Sequence, residues 1–510
     1  NGGEVLVKVK RTSVEDFEKT KGKKKYKGVG KVEVARVRQE LVSPSLYTFY
    51  DTPVMLVRAS KEYMFDEERN KYLDAYNNVC HIGHCHPKFT EQVSQQLCSI
   101  NTNTRYLHPN LSVYITRLCD TLPKSLKVCY LVNSGSEAND LAIRLAQHYT
   151  KGYEVICMHG SYHGTTQLCT EVSGSMSTGV SKRSSEDMEL EEEVGVMHRR
   201  SPCGRFVDIP DVYRGRYRED DPDAAAKYAA EVEQKILRVE QKGGKISAFL
   251  AESIMGVAGQ VFYPDGYLER VYDTVRAHGG VCIADEVQTG FGRVGSHFWA
   301  FEAQNVVPDI VTMGKPIGNG FPLGAVITTK AIAQAFSEVK YFNTFGGNPV
   351  ACAAGIAVLQ AMKEDKLQDN ARVVGAHLLE GLLRLKDSYE CVGDVRGKGL
   401  FIGVEIVQSK STREPDAESC SILFNLCRHL GLLLGTGGVY GNVLRIKGPL
   451  CITLKHADDL LSIFERALQL LPEELHRKHE QQNVLNSGIE NSVAASSSTT
   501  NPPPSSSTVV

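Results

Sequence analysis

Five apolar runs of strand length, separated by segments of helical periodicity, constrain this chain more than any other feature. They are VCYLV at Val128 to Val132, EVICM at Glu154 to Met158, ISAFLAE at Ile246 to Glu252, GVCIADE at Gly280 to Glu286 and DIVTM at Asp309 to Met313. Runs of this kind, with no polar alternation, suit strands covered on both faces. Helices on either side of a mostly parallel sheet supply such cover, so the pattern predicts an α/β domain. Helices are expected over Glu137 to Gln147 and over Gly266 to Ala277. In the second, Leu268, Val271, Tyr272 and Val275 fall on one face, and Gly279 and Gly280 mark the stop. Beyond about Ala351 the pattern changes to long helices around GLFIGVEIV and NVLRIK, which predicts a second, smaller α/β domain.

This divides the chain into a basic extension (1–40), an N-terminal segment with the large domain (41–350), a small C-terminal domain (351–478) and a disordered tail (479–510). The stretch 173–205, rich in Ser and Glu, reads as a surface insertion. The run KTKGKKKYKGVGK from Lys19 to Lys31 reads as a solvated arm, with RNA binding as the weaker alternative. A net charge of −2 leaves no global basic field for nucleic acid. No apolar stretch approaches membrane-spanning length, and NGGEVLVKVKR holds no secretory apolar segment. Neither a nucleic-acid nor a membrane partner is expected. The expectation is a soluble intracellular protein, with mitochondrion and cytoplasm both open. Fourteen cysteines without a C-x-x-C pair read as reduced thiols.

In a parallel α/β sheet, ligands bind beyond the carboxyl ends of the strands. Here VCYLV leads to Asn133-Ser134-Gly135-Ser136-Glu137, EVICM to His159, Tyr162 and His163, ISAFLA to Glu252, VCIA to Asp285 and Glu286, and DIVTM to Gly314-Lys315. An anion site, an acid and an amine are therefore expected at one edge. Ser134 to Glu137 has the form of a capping box, and Gly135 and Ser136 at the same helix start offer amides and a hydroxyl to a phosphate. Lys315, if desolvated, becomes an amine nucleophile. A pyridine ring between Lys315 and Asp285 would form an imine with the first and keep its nitrogen protonated against the second. Tyr162 would stack on that ring and Gln288 would reach its phenolic oxygen.

The motifs GHCHP, NSGSEAND, SYHG, IADEVQTGFGR, DIVTMGKPIGNGFP, FNTFGGNP and VRGKGL occur in one order, and with them the chain from about Ser43 to Leu471 resembles the class-III pyridoxal-phosphate-dependent aminotransferases. The resemblance implies fold type I, with a mostly parallel seven-stranded sheet in the large domain and a smaller α/β C-terminal domain. It implies a homodimer binding pyridoxal 5'-phosphate. Lys315 would carry the cofactor, Asp285 would pair with the ring nitrogen, and Val287 and Tyr162 would sandwich the ring. Gly135 and Ser136 would hold the phosphate, Thr344 would reach the partner's cofactor, and His163, Glu252 and Gln288 would complete the shell.

Arg445, in NVLRIKGPL, falls where the family grips a substrate carboxylate, and Arg396 reads as structural. Val257 stands where ornithine-type members keep a gating Glu. Parts of the C-terminal half resemble alanine:glyoxylate aminotransferases, while YNNVCHIGHCHP, NTNTRYLH and DVYRGRYRED resemble phospho-lyases acting on O-phosphoethanolamine or phosphohydroxylysine. Arg445 and Phe321 favour transfer of an amino group from alanine or a similar amino acid to glyoxylate or pyruvate. Elimination of phosphate is the alternative, with Arg214, Arg216 and Arg218 as candidate cations. A catalytically silent cofactor-binding relative is the reading from another class. His81, His84, Cys85 and His86 are too crowded to close a tetrahedral metal site, so no metal is expected.

Overall fold

The computed structural model of the protein describes residues 26–174 and 202–497, with side chains up to 481. Three strands open the chain, β1 (Leu56–Ser60), β2 (Tyr63–Asp66) and β3 (Lys71–Asp74). The large sheet follows: β4 (Val128–Val132), β5 (Glu154–Met158), β6 (Gly204–Val207), β7 (Ile246–Glu252), β8 (Val281–Asp285), β9 (Ile310–Met313) and β10 (Gly324–Thr328). Its order is β4-β10-β9-β8-β7-β5-β6. All pairings are parallel except those of β10, which runs antiparallel to both β4 and β9. Every residue of β7, β8, β9 and β10 is buried, as the unbroken apolar runs require. The five strands and the mostly parallel seven-stranded sheet expected from the sequence are present.

The C-terminal part adds β11 (Val392–Lys398), β12 (Phe401–Ile406), β13 (Leu432–Leu433), β14 (Gly435–Gly437) and β15 (Val443–Ile446). β11, β12, β15 and β14 form an antiparallel sheet in that order. The short β13 leaves it and pairs in parallel with β3, so chain from both ends builds one small sheet.

Local signals explain the element ends. The helix Tyr267–Ala277 stops where Gly279, at φ +75, lets its own N–H reach Arg276 O and Gly280 N–H reach Val275 O. Those two bonds satisfy carbonyls that a helix end otherwise leaves open.

Three sequence expectations change. The helix Pro349–Glu364 packs on the helices Pro87–Leu97 and Pro109–Cys119, so a break at 351 falls inside a helix that belongs with the earlier segment. The tail expected to be disordered from 479 is helical to Ser497, as the continuation of one helix, Leu454–Ser497, whose earlier part over 454–480 is rich in the helix formers Leu, Glu and Ala. Residues 498–510 lie outside the described residues. The basic extension ends in an exposed helix, Lys31–Leu41, which crosses the expected boundary at 40; the rest of the arm to residue 25, and 175–201 of the expected insertion, lie outside the described residues. Among the described residues no helix is long and apolar enough to cross a membrane.

Candidate active site

The helix Gly135–Thr150 begins directly after β4, and its first turn faces the ends of β8 and β9. Ser134 Oγ accepts from Glu137 N at 3.1 Å, the first half of the expected capping box. The second half differs by one residue: Glu137 Oε2 accepts from Asn133 N and Asn133 Nδ2, and also from Asn343 Nδ2 at 2.7 Å. Glu137 is thereby shared with the loop bearing Thr344, and it ties that loop to the helix start. A side chain at Gly135 would meet Val287 Cγ1 at 2.9 Å, and one at Gly314 would meet the Gly135 backbone at 3.1 Å. Two glycines thus let the end of β9 close onto the helix N-terminus, leaving amides and the Ser136 hydroxyl beside a cavity of about 290 Å³.

Gly135, Ser136, Tyr162, His163, Glu252, Asp285, Val287, Gln288 and Lys315 all line that cavity. Asp285 ends β8 and is held by three groups. His163 Nδ1 lies 2.8 Å from its Oδ2, Asn139 Nδ2 donates to the same oxygen at 2.8 Å, and Val287 N donates to Oδ1 at 3.0 Å. Asn139 is itself fixed by Thr312 Oγ1 at 2.6 Å. His163 therefore orients the acid, and its Nε2 is buried without a hydrogen-bond partner. Glu252, 3% exposed, accepts from Tyr162 N and Gly256 N and so fixes the segment carrying the Tyr162 ring. Burial raises its carboxyl above the usual range, against the pull of His163.

Lys315 follows β9 at φ +33, a conformation that a non-glycine residue holds only when its surroundings impose it. Burial lowers its ammonium below the ordinary lysine range, although Asp285 and Glu252 favour the charge. A lysine made less basic in this way is suited to act as an amine nucleophile.

A second cavity, of about 610 Å³, shares Val79, Tyr162, Gln288 and Lys315 with the first and adds Tyr76, Val257, Arg445 and Lys447. Arg445, on β15, is 8% exposed. A side chain at Gly437 would meet Arg445 Nε at 2.7 Å, so bare backbone on β14 gives the guanidinium its room. Its hydrogen bonds to Gly256 O and Tyr76 Oη are both long, at 3.4 Å, and Nε has no hydrogen-bond partner.

Other candidates lie elsewhere. Thr344 is an exposed loop residue and lines neither cavity. Arg214 is committed to Glu405 on β12 and Arg216 pairs with Glu231 at 3.9 Å; Arg214, Arg216 and Arg218 line neither cavity, so this chain does not direct them at a leaving group. Arg396 bridges Asp394 and Glu405 and donates to Gly259 O, a structural task. The histidines of the GHCHP region point to separate partners: His81 to Phe291 O and Arg293, His84 to Asp74, His86 to Asp365.

The comparisons with known proteins agree with this geometry. The family model described as aminotransferase class-III matches residues 48–468. The chain belongs to the class-III aminotransferases. Among relatives in this family it is 44% identical to an alanine–glyoxylate aminotransferase 2-like protein of Drosophila melanogaster, covering 88% of this chain and 89% of that one. It is 40% identical to ethanolamine-phosphate phospho-lyase homolog 1 of Caenorhabditis elegans, covering 86% and 94%. A solved phospholyase from Arthrobacter in complex with phosphoethanolamine matches with a TM-score of 0.78 at 37% identity, covering 86% of this chain and 99% of that one. Membership of the class-III aminotransferases implies pyridoxal phosphate as cofactor, and the donor set fits it: a helix start for the phosphate, Asp285 for the ring nitrogen and Lys315 for the aldehyde carbon.

Four contributors escaped the sequence reading: Asn139, Asn78, Tyr76 and Lys447. Asn139 lies within NSGSEAND, about one turn into the helix, where its facing Asp285 is a matter of tertiary packing. Lys447 carried a legible signal, since it follows Arg445 by two residues and alternate strand residues share a face.

Proposed function

We propose that this class-III aminotransferase moves an amino group from alanine or a similar amino acid to a keto acid such as glyoxylate or pyruvate, using pyridoxal phosphate. The observation that carries the reading is Arg445. Its buried, under-bonded guanidinium opens into the cavity that also holds Lys315, at the place where a substrate carboxylate would lie while its amine meets the lysine. A planar guanidinium takes a carboxylate through two parallel hydrogen bonds, which fixes the amine-bearing carbon for reaction.

When bound, pyridoxal phosphate would supply an electron sink for the carbanion at the substrate carbon. The chain's own residues do the rest. Gly135, Ser136 and the helix dipole would hold the phosphate, and Asp285, steadied by His163 and Asn139, would keep a proton on the ring nitrogen. Tyr162 and Val287 would confine the ring, and Gln288 would reach its phenolic oxygen. Lys315 would take the proton from the amine-bearing carbon through its Nζ, and the basicity that burial lowers suits it to that transfer.

A homodimer belongs to the same reading. Exposed Phe342 and Phe345 flank Thr344 in sequence, and Arg105, next to exposed Tyr106 and Leu107, stacks on Phe342 at 4.3 Å, so exposed apolar side chains come from the segments on either side of this contact.

A second reading is elimination of phosphate from an amino phosphate ester, which Lys447 beside Arg445 favours. One experiment separates the two. The cofactor-loaded protein is given L-alanine with glyoxylate, and separately O-phosphoethanolamine. Pyruvate and glycine from the first mixture with no phosphate from the second support aminotransfer; sustained phosphate release supports the lyase. Lys315→Ala is expected to lower either turnover about a thousandfold or more with unchanged circular dichroism, and a variant that keeps most of its activity refutes the assigned base.

A further inference from the structure

Thr344 stands on a loop that the backbone does little to hold. Among the described residues, 340–344 make no backbone–backbone hydrogen bond. Phe342, Thr344 and Phe345 are exposed, and between them only Asn343 is half-buried. Its Nδ2 donates to Glu137 Oε2 at 2.7 Å, and its Oδ1 accepts from Asn133 Nδ2 and from Gly346 N, both at 2.9 Å. Asn133 Nδ2 also donates to Glu137 Oε2 at 3.0 Å, so three side chains close a ring of hydrogen bonds. The loop leaves at Gly346, where a side chain would run into Leu131 O on β4. Its exit is therefore pinned to the sheet, and its tip is aimed by Asn343. The other two corners of the ring belong to a different task. Asn133 ends the approach to the helix Gly135–Thr150 and lines the smaller cavity, and Glu137 is the third residue of that helix. The turn that this chain offers to its own cofactor's phosphate is the turn that aims Thr344.

We propose that Asn343 is a positioning residue that couples the two cofactor sites of a homodimer, so that filling one chain's helix start tightens binding at the other. The inference rests on the homodimer of the proposed function and on the assignment of Thr344 to the partner's cofactor. A phosphate held at Gly135 and Ser136 fixes the first helical turn, and with it Asn133 and Glu137. Those two hold Asn343, and Thr344 is the next residue along the chain. In a two-fold dimer the same bonds run in both directions. The loop is then ordered in the first binding event, and the second event no longer bears that cost, which makes the coupling positive.

Equilibrium dialysis of the apo full chain tests this, at a concentration where sedimentation shows a dimer. The probe is pyridoxamine 5'-phosphate, whose amine cannot condense with Lys315. After allowance for two equivalent sites, wild type is expected to bind the second equivalent about fivefold or more tighter than the first. Hydrogen exchange at the amides of Phe342 to Gly346 is expected to slow as the first site fills. Asn343→Ala is expected to give a dimer with two independent sites. Asn343→Asp, which keeps the size but sets a carboxyl against Glu137, is expected to lose the coupling likewise, while Glu137→Gln keeps an acceptor for Asn343 and retains most of it. A wild-type dimer that binds both equivalents alike overturns the coupling and leaves the aminotransferase reading standing. So does an Asn343→Ala or Asn343→Asp dimer that keeps the wild-type ratio. A cofactor-binding monomer overturns the dimer reading, and the coupling falls with it.

Discussion

Glu286 neighbours the acid of the site but faces the opposite side of β8. Its Oε1 accepts from Ser253 Oγ at 2.6 Å and Phe301 N at 2.9 Å, and its Oε2 from Thr289 Oγ1 at 2.8 Å. Burial raises its carboxyl from 4.5 to about 7, although these bonds favour the charge. Where the folded state holds a proton that the unfolded state has lost, stability falls as pH rises. The contribution of Glu286 is thus complete below about pH 4.5 and declines up to about pH 7, by an amount on the order of a few kcal/mol. Glu286→Gln removes this slope. The difference in melting temperature between wild type and the variant is expected to shift against wild type from pH 5 to pH 7.5, and a pH-independent difference shows that the carboxyl is ionised throughout. The same residue scale explains why Lys447 was missed. A lysine at a strand end normally reaches solvent, and only the closing of the small sheet over the cavity buries this one.

Among the elements, the helix Gly135–Thr150 carries the most function for its length. Its start is crowded by Val287 and Gly314, so Gly135→Ala drives a methyl into Val287 and forces the helix start that would hold a phosphate to shift. Overpacking of this kind costs about 1–3 kcal/mol, while alanine within a helix recovers about 1 kcal/mol. Cofactor affinity is therefore expected to fall about tenfold with the apo-protein melting within a few degrees of wild type; an unchanged affinity measured by equilibrium dialysis removes Gly135 from the phosphate site. The buried strands were legible because both faces of β7, β8 and β9 demand apolar side chains. The reversed β10 was not, because AVIT reads the same in either direction and only its pairing partners set its sense. The strand-end rule found Asp285, Glu252 and Lys315. It missed Asn139, which reaches the acid from a helix, and it found Glu137 only as a helix cap, without its bond to a loop more than two hundred positions away.

For the molecule as a whole, the exposed Thr344 loop is the feature that a lone chain leaves without a task. Full-length protein is expected to sediment at twice the chain mass, and Thr344→Ala to weaken cofactor binding about tenfold, the loss of one hydrogen bond to a charged group. A cofactor-loaded monomer, or a Thr344→Ala dimer with wild-type affinity, contradicts that assignment.

The pairing of β13 with β3 bears on how the molecule is made. Leu432 and Leu433 supply the edge beside Leu73 and Asp74, and Asp74, Tyr76 and Leu433 all line the larger cavity. During synthesis the first three strands therefore wait, with one edge open, until almost the whole catalytic chain has left the ribosome. A nascent chain stalled before residue 432 has the buried strands of its large sheet but no finished pocket, so this enzyme cannot begin work on its substrate before it is nearly complete.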